Sequence, residues 1–164
     1  MGTRTVNSLD FVLMRKYAIA TSMLILIAFD MLSKYYFERL LSYYESISIL
    51  SDFITLKLSY NNGIAFSLPI NGISLKIITL LILWWIGVFY VSEEYPKKSR
   101  LLDIGYSLVL AWAISHAYER VFVGHVVDFI AVKYFAILNF ADIFISVGAF
   151  FLIIAYGISS RHAS

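Results

Sequence analysis

The sequence predicts an α-helical integral membrane protein with four transmembrane helices, a small extracytoplasmic β-hairpin and a short interfacial helix. Three observations lead there. Of the 164 residues, 60% are hydrophobic and mean hydropathy is +0.79, whereas soluble domains are roughly 45–50% apolar. The apolar residues gather into four runs long enough to cross a hydrocarbon core about 30 Å thick. Between the first two runs lies a stretch that alternates with period two, as a strand with one greasy face does.

In chain order, a polar start ending Met14-Arg15-Lys16 leads into a first span at 17–37. A secretory signal peptide has a shorter apolar core and a small-residue cleavage site; here Asp30 and Lys34 interrupt the run, which reads as an uncleaved span. The outer segment 38–72 follows. Residues 38–52 are expected to form the interfacial helix, with Leu40, Leu41 and Tyr44 on one side. In 53–60, Ile54, Leu56, Leu58 and Tyr60 alternate with Thr55, Lys57 and Ser59, which predicts a strand. Asn61-Asn62-Gly63 supplies a turn, and 64–68 is expected to return as the second strand before Pro69. The second span is 73–91, where Trp84 and Trp85 read as lipid-facing anchors. The third span is 101–118, diluted by Asp103, Ser107, Ser115 and His116. A second outer segment, 121–136, precedes the fourth span at 137–158. No repeat, low-complexity tract or linker divides residues 1–164, so one membrane domain is expected.

Composition also excludes several chemistries. A net charge of +2, with no basic stretch interleaved with aromatics, argues against nucleic acid. The absence of cysteine removes disulfides, thiolate nucleophiles and zinc-thiolate sites. His116, His125 and His162 lack ligand spacing, and there is no glycine-rich phosphate loop. Chemistry must rest on carboxylates. Four spans place both termini on one side, with Arg4, Arg15, Lys16, Lys97, Lys98, Arg100 and Arg161. Arg39, Lys57, Arg120 and Lys133 fall opposite, so the termini are expected in the cytoplasm.

Two carboxylates stand in strongly apolar sequence, Asp128 in Val-Val-Asp-Phe-Ile and Asp142 in Asn-Phe-Ala-Asp-Ile. A carboxylate in such surroundings is costly unless paired, hydrated or working. Asp128 is placed just before the fourth span and Asp142 one turn inside it, sharing a helix face with Asn139. Two carboxylates close enough to share a water hold a proton between them, the arrangement of aspartic proteases. Plainer roles stand beside this one. Asp128 can pair with Arg120 or Lys133, Asp142 can cap a helix, and Asp30 can anchor Lys34 at i,i+4. His116 can be a satisfied polar residue in the bundle.

The combination is more specific than any part. Asp30-Met-Leu-Ser-Lys34, Asn61-Asn-Gly-Ile-Ala-Phe-Ser67, Gly124-His-Val-Val-Asp-Phe-Ile130 and Asn139-Phe-Ala-Asp142 resemble, in order and spacing, the bacterial lipoprotein signal peptidases (signal peptidase II). The resemblance covers roughly 17–156. It implies an inner-membrane aspartyl endopeptidase with four spans, an outer β-cradle and no metal or organic cofactor. It further implies that the enzyme removes signal peptides from prolipoproteins, cutting before a diacylglyceryl-modified cysteine at the outer face. Asp128 and Asp142 match the catalytic pair.

Asn61, Gly63, Arg120, Asn139 and His116 fall at substrate-binding positions, and Asp30, Lys34 and Gly124 at structural ones. Partners are the lipidated prolipoproteins and membrane lipids, and a monomer is expected. The family's G-N-x-x-D-R block reads Ser115-His-Ala-Tyr-Glu-Arg120 here, Met31 stands for the usual Gln, and Leu138 for a common Phe. Two other classes are an intramembrane ion or proton pathway using Asp30, Asp128, Asp142 and His116, and a noncatalytic protein that binds lipidated signal peptides.

Overall fold

The computed structural model describes residues 8–41, 46–63 and 72–161. Helix α1 (Ser8–Leu40) is followed by strands β1 (Ser46–Leu50) and β2 (Ile54–Asn61). Helix α2 (Gly72–Phe89) ends in a π-helical turn (Tyr90–Glu94) and a 3-10 turn (Tyr95–Lys97). Helix α3 (Arg100–Tyr118) also ends in a π turn (Glu119–Val123). Strands β3 (Val126–Val132) and β4 (Ala136–Leu138) lead into α4 (Phe140–Arg161). Four segments, Leu9–Leu40, Gly72–Lys97, Arg100–Val123 and Phe140–Ser159, are long and apolar enough to cross a membrane. The shortest has 20 residues, about 30 Å of helix.

Helix α3 is the most buried of the four and packs against each of the others. Its contact with α4 depends on two glycines. A Cβ at Gly105 would lie 2.7 Å from Leu152 Cδ2, and one at Gly148 would lie 2.9 Å from the Gly105 carbonyl oxygen. Small residues let the two backbones approach, as they do where lipid supplies no hydrophobic drive between helices. Tyr90, Leu102, Tyr106, Leu110 and Ala155 form the core of this part of the bundle. Trp84 and Trp85 are over 60% exposed, as lipid-facing side chains would be.

At one end of the bundle sits a four-stranded antiparallel sheet in the order β1-β2-β3-β4. The alternation seen in the sequence is realised: Leu56, Leu58 and Tyr60 pack with Val127, Phe129, Phe37, Leu41 and Phe140. Phe37 stacks on Phe129 at 4.3 Å between ring centroids. This layer fastens the sheet to the ends of α1 and α4.

Two expectations change, and a third falls outside the described residues. No separate helix over 38–52 is present among the described residues. Instead α1 itself reaches Leu40, and Ser46–Leu50 is a strand whose Ser46, Ile47, Ser48 and Leu50 pair with β2, the register shifting between Ser48 and Leu50. The strand over 64–68 lies outside the described residues, and β2 is flanked by β1 and β3. The fourth helix begins at Phe140 rather than 137, since Ala136–Leu138 pair with β3.

Candidate active site

Both acidic side chains singled out in the sequence lie at the junction of the sheet with the bundle. Asp128 is in β3, where it is paired in register with Ser59 of β2. Val127 and Phe129 point to the apolar layer, so the pleat turns Asp128 to the other face, together with Asn61. Asn61 Nδ2 donates to Asp128 Oδ2 at 3.2 Å. The Asn61 Oδ1 accepts from the Gly63 N–H at 3.1 Å, a local turn that fixes the amide.

Asp142 is the third residue of α4. Its N–H donates to Asn139 Oδ1 at 3.2 Å, and its Oδ2 accepts from the Asn139 N–H at 3.1 Å. This is a reciprocal capping box. The capping role expected of Asp142 is therefore present, and one carboxylate oxygen remains for other contacts. Oδ1 accepts from Trp112 Nε1 at 3.3 Å and lies 3.5 Å from His116 Nε2. Asn139, fully buried, joins the two acids, because its Nδ2 donates to Asp128 Oδ1 at 2.6 Å. One residue thus holds Asp128 by its side chain and Asp142 by its backbone.

Burial first, and then the charge of Asp142, push the Asp128 carboxyl up from 3.8 to about 6; the Asn139 and Asn61 amides pull it down. Asp128 is not held by Arg120 or Lys133. The Arg120 guanidinium donates to Thr79 Oγ1 at 3.1 Å and to the Gly63 carbonyl at 3.4 Å, and lies within electrostatic reach of both aspartates. Lys133 lies over the Tyr134 ring.

Behind the site lies a buried ion network. Lys34 Nζ reaches Asp30 Oδ2 at 2.7 Å and Glu119 Oε2 at 2.6 Å. Asp30 also accepts from the Ser115 hydroxyl and, at 2.9 Å, from the Ala141 N–H. Glu119 Oε1 accepts from the Val127 N–H at 3.1 Å. Ala141 precedes Asp142 and Val127 precedes Asp128, so each site acid follows a residue whose backbone is held by a buried carboxylate. Gly124 turns the chain from the π turn into β3 at φ +94°, with its N–H on the Glu119 carbonyl at 2.8 Å. Only glycine adopts that conformation without strain.

The structure brings together Asn61, Gly63, Arg120, Asn139, His116, Asp128 and Asp142, with Asp30, Lys34 and Gly124 behind them. Sequence reasoning missed Trp112, Thr79 and the Glu119 contact. Trp112 lies four residues before His116 on the same helix face, and Glu119 is an acid in an apolar helix. Nothing in the sequence marks Thr79. Among the described residues, no group of three His, Asp or Glu side chains is arranged to hold a metal ion.

Comparison with known proteins gives the same reading. The family model for signal peptidase (SPase) II matches residues 22–158. The chain belongs to the signal peptidase II family. A lipoprotein signal peptidase of Pseudomonas syringae pv. tomato is 35% identical, the match covering 78% of this chain and 79% of that protein. One from Pseudomonas fluorescens is 34% identical, covering 80% and 81%. Among solved structures, a bacterial membrane enzyme determined by the in meso method at 2.3 Å superposes with a TM-score of 0.78 at 25% identity, covering 90% of this chain and 92% of that one. As a signal peptidase II this chain is a multi-pass bacterial membrane aspartic peptidase that cleaves signal peptides from prolipoproteins, which sets aside the noncatalytic and ion-pathway alternatives.

Proposed function

We propose that Asp128 and Asp142 are the catalytic pair, and that the chain cuts prolipoproteins just before a diacylglyceryl-modified cysteine. The observation that carries this is the bridge through Asn139, which links both carboxyl groups with neutral donors and no cation. One member, ionised, takes a proton from water as the water oxygen bonds to the scissile carbonyl carbon. The other, protonated, gives its proton to the carbonyl oxygen. Collapse of the resulting diol transfers a proton to the leaving nitrogen, breaks the C–N bond and frees the cysteine amine. The raised Asp128 carboxyl suits a group that must both hold and release a proton near neutral pH.

Asn61, Gly63, Arg120, Asn139 and His116 line the substrate site, with Arg120 aimed at peptide carbonyls. Its Nε is buried without a partner among the described residues, a donor available to such a carbonyl. Arg15, Lys97, Lys98 and Arg100 belong to the bundle end opposite the site, which supports cytoplasmic termini and an extracytoplasmic site. The substrate's acyl chains then remain in lipid while the cleavage point meets water. The 1–164 chain acts as a single membrane domain and as a monomer among membrane lipids.

The test is cleavage of a diacylglyceryl-modified prolipoprotein by purified protein beside Asp128→Asn and Asp142→Asn. Each variant is expected to lose roughly a thousandfold or more in rate while keeping its helical content. Cleavage that persists in either one removes that residue from the chemistry.

A further inference from the structure

His116 is buried, 4% exposed, on the face of α3 that meets α4. Its Nδ1 lies 3.1 Å from the Trp112 carbonyl oxygen. A carbonyl only accepts, so Nδ1 carries a hydrogen. The other ring nitrogen, Nε2, faces Asp142 Oδ1 at 3.5 Å. A bare Nε2 against an ionised carboxylate would set lone pair against lone pair. The contact is favourable only with one proton in it, on Nε2 as an imidazolium or on Oδ1 as a carboxylic acid. The charged groups facing the ring are Asp142 from α4, Lys34 from α1 and Arg120 from the π turn after α3. Asp128 of β3 is coupled to the same proton through Asp142.

We propose that His116 is a positioning residue for Asp142 and that the two hold one proton jointly, which sets the protonation state of the aspartyl pair. This rests on the reading of Asp128 and Asp142 as the reacting acids. The Nδ1 bond to the helix backbone fixes the ring, and the Trp112 indole on the same oxygen of Asp142 fixes the carboxyl. The pair therefore titrates as a group of three rather than two. An asparagine at position 116 can offer hydrogen bonds but cannot hold a proton, so its replacement separates geometry from proton storage.

The experiment compares kcat and KM for the wild type and His116→Asn across about pH 4 to 9, with a diacylglyceryl-modified prolipoprotein as substrate. One limb of the kcat/KM profile is expected to move by roughly half a pH unit or more in His116→Asn. Profiles that superimpose overturn the proposal. A second measurement needs no turnover: imidazole nitrogen resonances of histidine-labelled protein in nanodiscs, wild type beside Asp142→Asn. The His116 titration is expected to change in Asp142→Asn, and an unchanged titration overturns the pairing. A wild type that cleaves nothing sinks the catalytic reading alone, because the resonance measurement still decides the pair.

Discussion

The two ends of the helix bundle each bury charged groups, and they treat their carboxylates differently. At the end away from the sheet, Arg15 grips Asp103 with both arms, Nη2 on Oδ1 and Nε on Oδ2, at 2.6 and 2.7 Å. The Tyr90 hydroxyl adds a bond to Asp103 Oδ1 at 2.8 Å, and Arg15 Nη1 closes on the Tyr95 carbonyl. Glu94 is likewise met by Lys97. At the sheet end, Asp30 and Glu119 share Lys34, yet Asp128 and Asp142 receive amides, an indole and an imidazole. Carboxylates that hold helices together are matched by cations. Among the described residues, no lysine or arginine hydrogen-bonds either of the two acids proposed to react.

That contrast can be broken from its most buried member outward. Lys34→Met leaves Asp30 and Glu119 unneutralised at 0% and 6% exposure and is expected to cost roughly 3–5 kcal/mol. Adding Asp30→Asn and Glu119→Gln to that variant should recover much of the folded yield, measured by thermal unfolding in detergent. Recovery of yield without recovery of cleavage would show that the network also aims the Val127 and Ala141 amides.

Asp128→Asn should act in the opposite direction on stability. The folded carboxyl is raised from 3.8 to about 6, so the folded state binds the proton more tightly than the unfolded one. Stability then falls as pH rises between those values, and above about pH 6 the ionised acid carries a penalty of at most about 3 kcal/mol. The asparagine should therefore melt higher than wild type near pH 7.5 and about equally near pH 4. Equal melting at both would mean that folding leaves the Asp128 carboxyl unperturbed, and an asparagine that melts lower near pH 7.5 would mean that Asp128 is stabilised as the anion. The smallest effect is expected from Arg15→Met, roughly 1–2 kcal/mol because water reaches the pair. The kcat of its folded fraction should be unchanged, and a fall in kcat would show that the two ends are coupled.

Much of this was legible in the residues. Four long apolar runs have the length and composition of membrane spans, and Leu56, Leu58 and Tyr60 in period two mark a half-buried strand. The Asp30–Lys34 pair follows from i,i+4 spacing, and the Asn139–Asp142 cap from i,i+3 spacing. The strand at Ser46–Leu50 was misread because five residues of mixed polarity carry little pattern, and their pairing partner is supplied by another segment. Trp112 and Thr79 were invisible for a related reason: an indole or hydroxyl in an apolar helix gains its role from what stands opposite.

By itself the sequence determined the medium, the number of spans, the residue types available for chemistry and the family. These depend on composition and on spacings within one helix or strand, which local geometry fixes. Only the tertiary structure decided which donors meet each acid. Glu119 reaches Val127 across a π turn, Asp30 reaches Ala141 across 111 positions of chain, and Asn61 meets Asp128 through strand register. Partners so far apart in sequence are chosen by the packing of α1, α3 and α4 and by the pairing of β2 with β3, because the geometry of a hydrogen bond is set by where whole elements come to rest.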